Sequence, residues 1–206
     1  MDGVLIDSEP LHKRAKERAF EEHGIFLEES VYDSYKGRPD ATMLPEILGA
    51  RGWSVEMIEA FSRRKRQLYE EIEHELRAVA GAVDFVAWSA PRYKLALATS
   101  STKRNREATF KLLGIGEHFE AIVDASGHTR PKPEPEVFLV AMQKLGVRAE
   151  DCWIIEDSVN GVKAAKAAGA IAVGITTTFR RDVLSGAGAD MVVDTFAELK
   201  ALLQCE

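Results

Sequence analysis

The sequence predicts an α/β fold: a Rossmann-like parallel sheet flanked by helices, with an all-helical insert near its start. Three observations lead there. From about residue 80 onward, short apolar runs alternate with helical patterns, the signature of strand–helix–strand units. Residues 10–80 read as helices alone. Several short polar stretches close apolar runs just where strands would hand over to helices, and open parallel sheets bind their ligands beyond the carboxyl ends of the strands.

The insert comes first. Ser8-Glu9-Pro10 predicts a helix start, with Ser8 placed to cap and Pro10 in the first turn, where a missing N–H costs little. Leu11, Ala15, Ala19 and Phe20 keep helical spacing, and Gly24 closes the element. Residues 36–44 predict a turn followed by a short helix through Leu48. Ser54 predicts the cap of a long helix whose stripe is Val55, Ile58, Phe61, Leu68, Ile72 and Leu76. In that helix a basic run, Arg63 to Arg66, precedes an acidic run, Glu70 to Glu75, so pairs such as Arg66 and Glu70 can support it locally. The plainer reading of these charges is a solvated face.

Strands are then predicted at Lys94–Thr99, Ala121–Ala125, Cys152–Glu156, Ile171–Ile175 and Met191–Val193. Helices fall between them at Lys103–Leu113, Pro135–Leu145, Val159–Ala168 and near Arg181–Leu184, and Phe196–Leu203 closes the chain. We place residues 1–9 plus 81–206 in the α/β core and residues 10–80 in the helical insert.

A chain of 206 residues can bury a proper core. It is 46% apolar and 29% charged, ordinary for a globular protein. A net charge of −6 argues against a nucleic-acid surface as the main business. Cys152 and Cys205 have neither framework nor metal-ligand spacing and read as reduced thiols, which suggests a cytoplasmic protein. No apolar run reaches the ~18 residues of a membrane span, and the basic-then-apolar pattern of a leader is absent.

Four stretches carry the chemistry. Met1-Asp2-Gly3-Val4 is acidic and bears a glycine suited to a sharp turn. Leu95 to Ser101 is an apolar strand ending in three hydroxyls, Thr99, Ser100 and Ser101, before a helix whose N-terminus suits an anion. Arg130-Pro131-Lys132-Pro133-Glu134-Pro135 holds one lysine in a proline-stiffened loop. Trp153 to Gly161 is the strongest signal: Glu156 and Asp157 end a buried strand side by side, and a cation is their expected partner. Taken singly, each has a plain alternative: an Asp-Gly turn, a helix cap by Ser101 or Thr102, a solvent lysine, and a cap by Asp157 or Ser158.

Together these stretches resemble the four-part signature of the haloacid dehalogenase superfamily of phosphotransferases, and the layout of core and helical cap is similar over essentially the whole chain. The opening matches that family's Asp-x-Asp-Gly-(Thr/Val) from its second aspartate. Asp2 is that residue and Met1 fills the variable position, so the nucleophilic first aspartate falls one residue before Met1, with the strand that leads to it. The resemblance implies that Asp2 is the general acid/base, that its backbone carbonyl is a magnesium ligand, and that Gly3 permits the turn. It implies that Thr99, with Ser100 and Ser101, binds a transferring phosphoryl oxygen and that Lys132 neutralises the phosphoryl group. Asp157 matches the direct Mg2+ ligand, with Glu156 a second ligand or a partner one layer behind it.

Within the family the resemblance is to the subgroup of β-phosphoglucomutase and small sugar-phosphate phosphatases. His12 stands where the mutases carry a cap-hinge histidine, though a helix-surface histidine is an equal reading. Lys36-Gly37 matches the substrate-specificity loop, and Arg38 is nearby. Where the mutases place an arginine on the substrate's distal phosphate, this sequence has Asp40. The resemblance therefore implies a Mg2+-dependent phosphatase acting through an aspartyl-phosphate on a small phosphorylated metabolite, a sugar or polyol phosphate. The alternatives are a β-phosphoglucomutase-like isomerase and a catalytically inactive phosphate- or partner-binding protein.

Overall fold

The structure, a computed structural model, describes residues 1–35 and 40–204. In chain order the elements are β1 (Ile6–Asp7), α1 (Glu9–Glu21), α2 (Glu29–Ser34), α3 (Asp40–Gly49), α4 (Val55–Ile72) and β2 (Arg77–Ala78). There follow α5 (Ala82–Ser89), β3 (Ala96–Ala98), α6 (Lys103–Leu113), β4 (Ala121–Val123) and α7 (Glu136–Leu145). The last are β5 (Trp153–Glu156), α8 (Val159–Ala167), β6 (Ile171–Ile175), α9 (Arg181–Gly186), β7 (Met191–Val193) and α10 (Phe196–Gln204). The chain divides into two compact units, Met1–Asp7 with Arg77–Glu206, and Ser8–Leu76.

The first unit is α/β. Strand β3 pairs with β4 in parallel, Leu97 opposite Ile122. Strands β5, β6 and β7 form a second parallel ladder, with Ile155 opposite Val173 and Gly174 opposite Val192. These strands are short, and every residue in them is buried or half-buried, as expected of a sheet covered on both faces. Helices α7 and α8 pack Val137, Phe138, Ala141, Val162 and Ala165 into the main core beside Ala172. The parallel sheet is split: among the described residues no ladder bond joins β3 to β5. Between them lies a cavity of about 580 Å³, lined by Leu97, Ile155, Phe138, Met142, Phe196 and Met1 among others. A two-residue antiparallel pair, β1 with β2, was not foreseen; two-residue strands leave no periodicity to read.

The second unit is helical. Helix α4 lies along α1, with Phe20 and Phe61 in contact at 4.7 Å between ring centroids and Leu44, Leu48 and Leu68 buried around them. The Ser54 cap forms, its Oγ accepting from the Met57 N–H at 3.4 Å. The predicted stripe needs correction. Val55 is 68% exposed, and α4 ends at Ile72, so Leu76 follows a 3₁₀ turn. Lys65, not foreseen in the core, takes a stripe position. Ser8 also departs from expectation: it precedes α1 in a helical conformation and makes no side-chain cap. Pro45 sits inside α3, where burial of Met43, Leu44, Ile47 and Leu48 outweighs the lost backbone hydrogen bond.

Candidate active site

Every candidate in the first unit lies at the carboxyl end of β3 or β5, or on a loop that reaches it. Strand β3 delivers Thr99, whose N–H donates to the Val123 carbonyl at 2.9 Å, so the turn that follows is pinned to β4. Thr99 is buried, and its Oγ1 accepts from the Ser101 N–H at 3.1 Å. That bond turns Ser101 inward, and Ser101 Oγ donates to Asp2 Oδ2 at 2.5 Å. Ser100 is exposed. Helix α6 is capped by Thr102, whose Oγ1 accepts from the Asn105 N–H at 3.3 Å, which leaves the serines available for other work.

Gly3 adopts a left-handed φ of +66°, and its carbonyl accepts a hydrogen bond from Thr177 Oγ1. A side chain there would collide with the Asp157 carboxylate and come within 2.9 Å of Thr178 Oγ1. Glycine is thus required twice, for its φ and for the close approach of Asp157. Gly161 plays the matching part for the neighbouring carboxylate: a Cβ at Gly161 would collide with Glu156 Oε2.

Glu156 and Asp157 are 6% and 9% exposed. Lys132 Nζ donates to Glu156 Oε1 and lies 4.7 Å from the Phe138 ring centroid. Ser158 caps α8, its Oγ accepting from the Gly161 N–H at 3.1 Å. Asp157 is relieved only in part. Burial first, then the negative charge of Glu156, push its carboxyl up to about 6, against a hydrogen bond from Thr178. Asp157 therefore stands in need of positive charge, and its oxygens suit a hard divalent cation. Among the described residues no group of three or more His, Cys, Asp or Glu side chains is arranged around a metal position. Any cation here would take few side chains and complete its shell from backbone, water or ligand oxygens, as Mg2+ commonly does.

In the second unit a separate charged cluster forms. Lys65 Nζ donates to Asp40 Oδ2 at 2.7 Å and lies 3.3 Å from His12 Nδ1. Lys16 Nζ is 4.0 Å from Asp40 Oδ1. The His12 ring stacks on Tyr69 at 4.2 Å. Burial alone would raise the Asp40 carboxyl, but Lys65, helped by Lys16 and His12, holds it below the usual range. The sequence candidates Lys36, Gly37 and Arg38 lie outside the described residues.

The structure thus brings together Asp2 with Ser101, Gly3 with Asp157, and Lys132 with Glu156. Sequence reasoning missed Thr177 and Thr178, although a run of three threonines at the end of β6 was a readable signal. It also missed Lys65 and Lys16. Lys65 stands at core spacing between Phe61 and Leu68, but so does the half-buried Arg64, and the spacing alone does not tell them apart.

Comparison with known proteins gives the site its context. The sequence model of a family described as haloacid dehalogenase-like hydrolase matches residues 1–169. A phosphorylated carbohydrates phosphatase from Thermotoga maritima is 34% identical over 173 residues, covering 82% of this chain and 79% of that protein. The fructose-1-phosphate phosphatase YqaB of Escherichia coli is 28% identical over 175 residues, covering 85% and 93%. Among solved structures, a β-phosphoglucomutase from Clostridium difficile superimposes with a TM-score of 0.82 at 26% identity, covering 98% of this chain and 92% of that one.

Proposed function

The chain belongs to the haloacid dehalogenase-like hydrolases, and we propose that within this family it is a Mg2+-dependent phosphoric monoester hydrolase acting on a sugar or polyol monophosphate. The observation that carries the reading is the meeting of Asp2, Ser101, Lys132, Glu156 and Asp157 at the carboxyl ends of parallel strands.

The nucleophile in this reading is an aspartate directly preceding Met1, at the end of a further strand. The apolar cavity between β3 and β5, which reaches Met1, supports a strand in that place. The substrate phosphorus is attacked by that carboxylate and its bond to the leaving oxygen breaks. Asp2 gives the leaving oxygen a proton. Water then attacks the acyl phosphate, Asp2 takes the water's proton, and orthophosphate departs. Lys132 balances charge on the phosphoryl oxygens while Glu156 orients it, and Ser101 holds the Asp2 carboxylate in place. The Asp157 carboxylate and the Asp2 backbone carbonyl would hold Mg2+, which neutralises charge on the phosphoryl group.

Substrate choice is assigned to the second unit. Where the mutases of the family carry an arginine for the distal phosphate, this chain carries Asp40, paired with Lys65 and Lys16. Such a carboxylate accepts hydrogen bonds from hydroxyl groups, and this favours polyhydroxylated monophosphates over the bisphosphate a mutase requires. The phosphatases among the relatives lend the same direction.

The test is a chain extended upstream by an apolar strand ending in aspartate, assayed with fructose 1-phosphate and related sugar phosphates in Mg2+. Release of orthophosphate is expected, and none is expected when that aspartate is replaced by asparagine. A folded, Mg2+-supplied extended chain that hydrolyses no phosphate ester would sink the proposal. Product formation that depends on added sugar bisphosphate would favour the isomerase instead.

A further inference from the structure

Glu136 opens α7, four residues past Lys132, and the reaction above makes no use of it. Its carboxylate nevertheless gathers the donors of the lysine loop. Oε2 accepts from the Arg130 N–H at 2.7 Å and from Arg130 Nε at 3.3 Å, and Oε1 accepts from the Thr129 N–H at 3.2 Å. Thr129 Oγ1 lies 3.2 and 3.1 Å from the two oxygens. These bonds close residues 129–136 into a ring of chain, and Lys132 is carried on that ring.

Prolines explain why a side chain must do this. Pro131, Pro133 and Pro135 have no N–H, so the loop can make few backbone cross-links of its own, and one is seen, from the Glu134 N–H to the Pro131 carbonyl at 3.0 Å. The start of the loop is fixed independently. Asp124 accepts from Ser126 N–H at 3.0 Å and Ser126 Oγ at 2.6 Å, and pairs in charge with Arg106 Nε at 3.2 Å, though not aligned as a hydrogen bond. The far end depends on Glu136. The same helix carries Phe138, whose ring the Lys132 ammonium faces, so one carboxylate registers the loop against the surface on which the lysine lies. The Arg130 and Thr129 N–H groups, in that order, pull the Glu136 carboxyl down to about 2, so it stays ionised at any working pH.

Resting on the phosphatase reading for its consequence but not for its geometry, we infer that Glu136 is a positioning residue for Lys132. It fixes where the ammonium stands against Glu156, and so against a bound phosphoryl group, while touching neither.

The test uses the full chain and reads Lys132 directly. Each lysine is acylated with an amine-reactive ester and followed by peptide mass spectrometry, with Lys132→Met as the blank. In Glu136→Gln, Lys132 is expected to label about fivefold faster as its hold on Glu156 loosens. Orthophosphate titrated in Mg2+ is expected to bind about tenfold more weakly. Glu136→Asp, which keeps the charge, restores part of both. Thr129→Val, which removes one hydroxyl donor, moves labelling the same way by less, and it carries the comparison should Glu136→Gln fail to fold. Unchanged Lys132 labelling in Glu136→Gln and Thr129→Val overturns the inference, and so does an equal acceleration at every lysine, which reports general loosening. Labelling requires no turnover. A strand-extended chain that binds no orthophosphate would therefore count against the phosphatase reading and still leave the role of Glu136 decided by the lysine rates.

Discussion

Lys132 and Glu156, 24 residues apart in sequence, form an ion pair whose side chains are only 15% and 7% exposed. Taking two charges out of water is costly, and the pair is tolerable because each is the other's principal partner.

Breaking the pair from one side is therefore expected to be worse than removing both charges. Lys132→Met strands a buried carboxylate and should cost about 2–4 kcal/mol, discounted from the usual figure because the lysine is partly wet. Lys132→Met with Glu156→Gln should recover at least half of that. Chemical denaturation of the two single variants and the double variant gives the coupling. Strictly additive losses would show that the pair does not act as a unit.

Gly3→Ala should be among the most damaging single-atom changes in the first unit. The added Cβ is forced onto Asp157 at a φ of +66°. We expect a loss of about 2 kcal/mol or more. Mg2+ affinity should fall as well, because Asp157 is the group displaced. Gly161→Ala should destabilise comparably by displacing Glu156, with a smaller effect on Mg2+. Thermal melts and Mg2+ titration separate the two effects.

The Asp157 carboxyl sets a pH dependence. Its pKa is raised from the model-peptide value of 3.8 to about 6 in the folded chain. The folded state thus holds the proton more tightly than the unfolded state. The stability from this group is fully present below about pH 4 and is lost as pH rises through about 6. Without metal, the wild type should gain stability from pH 7.5 to pH 5 relative to Asp157→Asn, in which that gain is absent. Mg2+ competes with the same proton, so its stabilising shift in Tm should be larger at pH 7.5 than at pH 5. Equal shifts at both pH values would remove Asp157 from the metal site.

In the second unit, Asp40→Ala leaves Lys16 and Lys65, each 8% exposed, near one another without their carboxylate. A loss of about 1–3 kcal/mol is expected, measured by denaturation at moderate salt.

Much of the first unit is legible in the sequence. Ile171–Ile175, Met191–Val193 and Lys103–Leu113 have the predicted bounds because each is a clean run between turn residues. Lys94 and Thr99 fall outside β3 because its ladder is short: Thr99 is already bending toward Ser101. Glu156, Asp157 and Lys132 were legible because carboxylates and a lysine at strand ends are costly without a purpose. Other features were hidden for physical reasons. The Asp2–Ser101 bond spans 99 residues, and no local pattern encodes it. Lys65 hid inside an apolar stripe because its charge is answered by Asp40, a partner on a different helix. The division of the sheet between β3 and β5 leaves no mark on either strand, and only the resemblance, which sets a further strand before Met1, bears on it.

That division bears on how the chain breathes. Ladder bonds couple neighbouring strands, and β3–β4 shares none with β5–β6–β7 among the described residues. Each ladder can then open without first unzipping the other. Amide hydrogen exchange should sort the strand amides into two protection classes rather than one. The slower class should be the three-stranded ladder, where β6 is paired on both edges. A peptide strand that fills the cavity would merge the two classes into a single cooperative unit.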